Sequence, residues 1–477
     1  MKEVRTRFAP SPTGFMHIGG VRTALYAYLI AKQNNGKFIL RIEDTDQQRY
    51  VEGAIEVIYS TLRDLGLIWD EGPDIGGPYA PYIQSERKNN YIEYAEKLVN
   101  EGKAYYCFCD EKRLDELKAQ AEQLKVPYKY DGHCRNLSLE EARAKIKNGE
   151  KYVIRFKMPR EGITTFNDYV YGEVTVDNAE LEDLIMIKSD GMATYNFANI
   201  IDDHSMAISH VVRGNEYVSS TPKYILIYKA LGWDVPEFVH LPIIKKAVYS
   251  DKKLSKRDGD ATVEALKAKG YLNEAIINML ALTGWSPGDE RELFTLNELV
   301  KIFDPRKISK GNAIFDVNKL NWINSQYMKK LSDEEIYELT IPHLKQTYNV
   351  NDKDIEWLKA IVKLYRNQIS YGQEIVTVAL LFFKEDIVLD DECVEFMKQD
   401  GVVKVIDIFS KEIAKIDNWT IDNIAKVINN TKEITGIGGK LLYMSIRIKV
   451  TGQMHGPELP NTIQLLGKDL VLNRLLK

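Results

Sequence analysis

Four cysteines in 477 residues cannot staple a chain of this size, so a disulfide framework is excluded and a reducing compartment is the expected setting. No apolar run is long enough to span a bilayer; the greasiest stretch, Ile375 to Phe383, falls well short of the ~20 residues a spanning helix needs. The opening MKEVRTRFAP has no apolar signal core, and the expectation is a soluble, cytoplasmic protein with no membrane partner. Repeats and low-complexity tracts are also lacking. Charge of one sign is scarce as well: 64 Lys plus Arg face 69 Asp plus Glu, a net −5. That balance excludes an indiscriminate polyanion binder and leaves room for local basic surfaces.

What is present is ordinary globular material, 44% hydrophobic and 28% charged, in a length that suggests about three domains. The first 45 residues read as strand (Val4 to Ala9), turn cluster (Pro10 to Gly14), helix (Val21 to Lys32) and strand (Lys37 to Ile42). That βαβ opening implies a parallel sheet with ligands at the carboxyl ends of its strands. From about Pro81 the texture changes to charged helices (Ser85 to Asn100, Asp110 to Lys125) and alternating strands such as Lys151 to Met158, which reads as an insertion. Sheet patterning resumes at Asp183 to Ile187 and His210 to Arg213. Beyond Asn321, amphipathic helices (Asp333 to Tyr348, Asp354 to Tyr365, Asp391 to Gln399, Ile421 to Asn429) predict an all-α region.

Two stretches carry chemistry. In Arg7-Phe-Ala-Pro-Ser-Pro-Thr-Gly14, followed by His17-Ile-Gly-Gly20, a strand ends in a rigid turn and gives way to a helix. Small residues there allow close ligand approach, and the helix amino end favours phosphate. Lys253-Leu-Ser-Lys256-Arg257 is a cationic segment suited to a triphosphate, Ser255 lying between its lysines. Either stretch alone is weak. Glu43-Asp-Thr-Asp46, taken alone, reads as an ordinary acidic loop.

In this order the pair resembles the HIGH and KMSKS signatures of class I aminoacyl-tRNA synthetases. The string RFAPSPTGFMHIGGVRTALY is similar to that of bacterial glutamyl-tRNA synthetases, and the resemblance continues through LRIEDTD (Leu40 to Asp46), YIQSER (Tyr82 to Arg87), YDGHCR (Tyr130 to Arg135), KSDGMATYNFANIIDDH (Lys188 to His204), HVVRGNEYVSSTPKY (His210 to Tyr224) and FDVNKLNWINSQY (Phe315 to Tyr327). It implies an α/β Rossmann-type catalytic domain with an inserted α+β connective domain, then an all-α C-terminal anticodon-binding region. The boundaries expected are 1–80 and 183–240 for the two halves of the nucleotide-binding core, 81–182 for the insertion, 241–324 for a stem-contact region and 325–477 for the helical region.

The same resemblance implies ATP-dependent activation of L-glutamate to an adenylate, then transfer to the terminal adenosine of tRNA(Glu) through its 2′-hydroxyl, with Mg²⁺ accompanying the triphosphate. It assigns Pro10, His17, Gly19 and Gly20 to the nucleotide, with Lys253, Ser255 and Lys256. His17, Lys253 and Lys256 then carry the catalytic role. Arg7, Ser11, Glu43, Tyr195, Asn199 and Arg213 fall on glutamate-binding positions, Arg213 meeting the side-chain carboxylate. Arginine suits that task, because its planar fork binds a carboxylate bidentately and keeps its charge. Tyr217 stands where many relatives have tryptophan.

Three points stay open on sequence. Cys107-Phe-Cys109 with Cys134 resembles a zinc pattern of some relatives, but Asn136 occupies the fourth position. Gln368 stands where strict glutamyl enzymes carry an arginine near the third anticodon base, which points to a relaxed form that also charges tRNA(Gln); a merely polar helix residue is the alternative. Against a short paralogue acting on a modified tRNA stands the long region after Asn321; against a silent tRNA-binding relative stands retention of His17, Lys253 and Lys256. Relatives of this kind are commonly monomers.

Overall fold

The computed structural model describes residues 3–46, 49–245 and 262–477. It divides into two compact units, one made of residues 1–266 and 276–317, the other of 267–275 and 318–477.

The first unit is built on a six-stranded sheet. Its strands are β1 (Arg5–Phe8), β2 (Lys37–Leu40), and, after β3 (Ala104–Cys107) and β4 (Val153–Phe156), β5 (Ile163–Asp168) and β6 (Gly172–Asp177). Following β7 (Ile185–Ile187), β8 (His210–Gly214) and β9 (Glu237–Leu241) complete it in the order β2-β1-β8-β9-β5-β6. All neighbours are parallel except the β5–β6 hairpin. A further parallel pair joins β10 (Ile244–Lys245) to β11 (Ala313–Ile314).

β1 shows why the sheet is covered on both faces. Its residues alternate sides, so Thr6 donates to the Ala27 carbonyl of the helix Ile18–Gln33 (2.8 Å), while Arg7 faces Asp203 of the helix Tyr195–Ser205 (2.9 Å). The first of these helices buries ten residues and runs on to Asn34, after which Gly36 allows the chain to turn into β2. A Cβ on Gly36 would lie 1.9 Å from the Val4 carbonyl oxygen, so the crossover demands glycine there. The connection from β1 leads to β2 on one side, and β8 lies on the other. The strand order therefore reverses at β1, where doubly wound sheets open a crevice at their carboxyl ends.

β3, β4 and β7 form a separate antiparallel sheet, packed with the helix Lys88–Asn100 over Tyr91, Leu98, Ile154 and Met186. The expected insertion ending at residue 182 thus exchanges strands with the core. The β5–β6 hairpin, inside the expected insertion, extends the main sheet through β9, and β7, expected beyond it, belongs to the small sheet. The alternation in Ile163–Asp168 is legible in sequence, but which edge it pairs with is a tertiary matter.

Among its described residues the second unit contains helices and no strand. Ser332 opens the helix Asp333–Thr347 with a capping box closed by Glu335. The stretch Ile375 to Phe383 folds into two short helical turns whose Ile375, Leu381 and Phe382 enter the core. Arg474 lies buried among these elements and donates to the carbonyls of Leu381, Lys384 and Val450 at 2.6 to 2.7 Å. No helix among the described residues is long and apolar enough to cross a membrane.

Phe409 on the helix Val402–Ile413 is fully buried in this core. Phe409→Ala is expected to destabilise the helical unit by roughly 3–5 kcal/mol, the lost transfer energy plus the cavity left behind. Urea unfolding followed by circular dichroism checks this; an unshifted midpoint would contradict the assigned core.

Candidate active site

The carboxyl ends of β1, β2, β8, β9 and β5 carry the charged side chains. The turn after β1 rests on the segment after β2: the Glu43 amide donates to the Pro10 carbonyl (3.0 Å), and the Val51 amide to the Pro12 carbonyl (3.0 Å). Ser11 stays exposed on that turn.

His17 is the N-cap of the helix Ile18–Gln33, and its Nδ1 accepts from the Gly19 amide at 3.0 Å. A neutral imidazole accepting at Nδ1 holds its proton on Nε2. A Cβ on Gly19 would press to 3.1 Å from Nδ1, so glycine keeps the ring in its cap position. The sequence reading offers the helix amino end to phosphate; the Gly19 amide is used by the cap, and the Gly20 amide turns back to the His17 carbonyl (2.9 Å). Lys253, Ser255 and Lys256 lie outside the described residues.

Arg7 and Arg41 meet on Asp203. Arg7 donates through Nε and Nη2 at 2.9 and 3.2 Å, with Nη1 on the Val212 carbonyl, and Arg41 Nη1 donates at 2.7 Å. Arg41 also pairs with Glu43 at 2.9 Å. Burial works against the Asp203 carboxylate, yet Arg7 and Arg41 outweigh it and hold its pKa below the ordinary range. In Glu43 burial prevails over Arg41 and Arg7 and the pKa rises. Beside them Asp202 accepts from Arg87 Nε (2.6 Å), Gln84 (2.9 Å) and Tyr91 (2.8 Å). Arg7 therefore belongs to the pocket but already has its counter-charge.

Arg213 does not. It is 5% exposed; Nε donates to His240 Nε2 (3.0 Å) and Nη2 to Thr221 Oγ1 (2.8 Å). Tyr217, Tyr224 and Phe238 surround it, with ring centroids 5.1, 4.8 and 5.4 Å from its guanidinium carbon. Among the described residues no carboxylate lies within ion-pair distance, and burial pulls its pKa down. Aromatic faces return about 0.5–2 kcal/mol to a cation, less than the several kcal/mol that desolvation of an ion costs. The planar fork of Arg213 is chemically suited to a carboxylate partner.

Tyr195 joins the two sides. Its ring lies 5.4 Å from that of Tyr217, and its hydroxyl is within electrostatic reach of both Glu43 and Arg213. Asn199, one turn along the same helix, donates to the Tyr195 carbonyl (2.8 Å). Arg7, Glu43, Tyr195, Asn199 and Arg213 thus gather at neighbouring strand and helix ends. Sequence reading missed Arg41, Asp203 and Thr221, although all three stand inside strings it quoted, and it missed Asp168 and His240 altogether. A histidine among the buried residues of β9 and an aspartate at the end of β5 are the signal for the last pair.

Among the described residues, the one convergence of three or more His, Cys, Asp or Glu side chains is Cys107, Cys109 and Cys134, whose sulfurs lie within 4.8 Å of one another. The Tyr130 hydroxyl fills the fourth corner, 3.3 and 3.4 Å from the sulfurs of Cys107 and Cys109, and Asn136 and His133 are exposed. Hydrogen bonding from Cys134 and Tyr130 pulls the Cys107 thiol down despite burial. Structural zinc takes four tetrahedral ligands; the three thiols supply three, and the Tyr130 oxygen is the group nearest the fourth position.

In the helical unit Gln368 lies exposed in the turn after the helix Ile355–Tyr365, not within a helix. The nearby Arg366 is held by Asp333 and the Leu331 carbonyl.

Comparison with known proteins places these residues in context. Residues 3–322 match the model of the class I tRNA synthetases (E and Q), catalytic domain, and residues 335–477 match that of an anticodon binding domain. The chain is 50% identical over 479 residues to the glutamate–tRNA ligase of Clostridium botulinum (strain Loch Maree / Type A3), and 49% identical over 482 residues to that of Clostridium novyi (strain NT). Both alignments cover 99% of this chain and 97% of the relative. Among solved structures it is similar to a glutamate tRNA ligase from Elizabethkingia meningosepticum in complex with its amino acid, with TM-score 0.87, 37% identity and coverage of 100% of this chain and 99% of the other.

Asp203→Asn would leave two buried guanidinium groups facing a neutral amide, a loss of roughly 3–5 kcal/mol near neutral pH. Because Asp203 titrates lower when folded, its contribution is complete above the unfolded carboxylate pKa and is lost as pH falls through the folded value. The stability gap between parent and variant should therefore narrow below about pH 4. Urea midpoints across that range check the sign; a gap that widens on acidification would refute it.

Proposed function

The chain belongs to the class I tRNA synthetases as a glutamate–tRNA ligase, and we propose that its pocket seats L-glutamate with the side-chain carboxylate on Arg213 and the α-ammonium on Glu43. The buried, uncompensated charge of Arg213 is the observation that carries this reading. Among the described residues Glu43 Oε2 has no hydrogen-bond partner, while Oε1 is held by Arg41, so one oxygen is positioned and the other is available to an ammonium. Tyr195, Asn199 and Ser11 line the same strand and helix ends, and Arg7 fixes Asp203 behind them.

ATP enters as its Mg²⁺ complex, and its triphosphate meets the turn of Pro10 and the capped helix at His17, Gly19 and Gly20. Lys253, Ser255 and Lys256 are assigned to the departing pyrophosphate on sequence alone. The glutamate carboxylate oxygen attacks the α-phosphorus and pyrophosphate leaves. A ribose hydroxyl of the tRNA end then attacks the anhydride carbonyl and AMP leaves. No side-chain nucleophile is required, so positioning and charge stabilisation do the work. His17, with its proton on Nε2, is suited to donate to a phosphate oxygen. The cysteine cluster is a separate, structural question and takes no part in the chemical steps.

The helical unit reads the anticodon. An exposed Gln368 in place of arginine supports relaxed recognition, with tRNA(Gln) charged as well as tRNA(Glu). The enzyme is read as a cytoplasmic monomer, following its resemblance.

Two measurements test this. In tRNA-dependent ATP–pyrophosphate exchange, Arg213→Gln should raise the KM for glutamate by about a hundredfold or more, the scale of a lost buried ion pair, with the KM for ATP little changed. An unchanged glutamate KM would remove the assignment. Charging of purified tRNA(Gln) with glutamate should be detectable beside tRNA(Glu); no product on tRNA(Gln) would end the relaxed reading.

A further inference from the structure

Arg213, His240 and Asp168 stand side by side on three adjacent parallel strands. Arg213 on β8 is in register with His240 on β9, and Asp168 closes β5, which pairs with β9 two residues earlier, at Phe238. His240 and Asp168 are buried, at 0% and 4% exposure. Asp168 Oδ2 lies 2.6 Å from His240 Nδ1, and His240 Nε2 lies 3.0 Å from Arg213 Nε.

The protons in this row are determined by its ends. Arginine can only donate, so His240 Nε2 must accept; the carboxylate can only accept, so His240 Nδ1 must carry the hydrogen. Burial lowers the pKa of His240, in keeping with a neutral ring. Thr221 completes the grip: its hydroxyl donates to the Tyr217 carbonyl (2.8 Å), which turns its lone pairs toward Arg213 Nη2. Asp168 is itself anchored, with Oδ1 accepting from the amides of Val170 and Tyr171 and Oδ2 from that of His240.

We propose that His240 and Asp168 are positioning residues for glutamate recognition: the neutral imidazole fixes the roll of the Arg213 guanidinium and keeps the Asp168 carboxylate out of its reach, so that the terminal edge stays oriented and unpaired for the substrate carboxylate. This rests on the assignment of Arg213 made above. Direct contact between Asp168 and Arg213 would orient the fork but also neutralise it. Without the imidazole, Nε would lose its acceptor and the fork would be held through Thr221 alone.

The distinctive consequence concerns Asp168→Asn. Two amides at Oδ1 require an oxygen there, which places the new NH₂ against His240 Nδ1. That forces the hydrogen onto Nε2, where it opposes the Arg213 Nε–H. An aspartate that selects a histidine tautomer has this effect in other settings. The test is tRNA-dependent pyrophosphate exchange on the full chain, with glutamate and ATP each varied, and thermal melting measured separately. Asp168→Asn and His240→Leu should raise the glutamate KM about tenfold or more, on the scale seen for outer partners of other binding groups, with the ATP KM within about twofold. His240→Gln should recover most of the loss, because its Oε1 can reach the position of Nε2. A glutamate KM that stays at the parent value in His240→Leu, while Arg213→Gln raises it, overturns the positioning role alone. Arg213→Gln without effect overturns the underlying assignment instead. Equal losses for ATP and glutamate mean a structural role only and also refute the proposal. Should Asp168→Asn not fold, the pair His240→Leu and His240→Gln decides.

Discussion

A buried guanidinium with no carboxylate in ion-pair distance among the described residues, that of Arg213, is the constraint around which the proposed pocket is arranged. Arg213 is removed from water by β8, by the rings of Tyr217, Tyr224 and Phe238, and by the helix that starts at Thr221. Buried ions in proteins are ordinarily paired. On the proposed assignment the pairing is left to the substrate carboxylate, and the surroundings hold the guanidinium in a fixed geometry until it binds.

The neighbouring charges show how selective that deferral is. Arg7 and Arg41 are as deeply buried as Arg213, yet both are matched by Asp203, with Glu43 as a second partner of Arg41. Asp202, the next residue, is matched by Arg87. Two consecutive aspartates on one helix thus divide the arginines between them, with Arg41 within ion-pair distance of both. Parallel strands make this possible, because their carboxyl ends bring residues far apart in sequence to one edge. A glutamine side chain offered to Arg213 would leave the guanidinium uncompensated. Loss of such a designed polar contact can reach about 10⁴ in kcat/KM. On the proposed assignment, selectivity against glutamine would come from that mismatch.

Much of this architecture was legible in the residues. The βαβ opening, the helix after His17, and the helical second half follow from periodicity and turn chemistry, and the observed helix Ile18–Gln33 and strand Lys37–Leu40 fall where the pattern puts them. The site arginines were visible because RFAPSPTG and HVVRGNEY are distinctive strings. Their division of labour was not. Whether Arg7 or Arg213 is free for substrate depends on Asp203, which lies on a helix almost two hundred residues from Arg7. The β5–β6 hairpin posed a similar problem: alternation shows a strand, but its partner, β9, is chosen by packing. Gln368 was read as aligned or as an ordinary helix residue, and its place in a turn depended on where the helix ends, the least certain feature of any local pattern.

The row from Asp168 to Arg213 shows why a histidine suits its middle position. A carboxylate bonded to Arg213 would compete with the substrate carboxylate as an intramolecular ligand, and glutamate would have to displace it. A hydrocarbon in that place would avoid the competition but leave Nε without an acceptor. The imidazole separates the two tasks. It accepts one hydrogen bond from the guanidinium, donates another from Nδ1 to Asp168, and remains uncharged, so orientation is obtained without neutralisation. The anionic end of the row also stabilises the arrangement at a distance, where its attraction for Arg213 is weaker than that of a carboxylate in direct contact. A neutral residue between two fixed charges is therefore part of how the pocket stays both rigid and receptive.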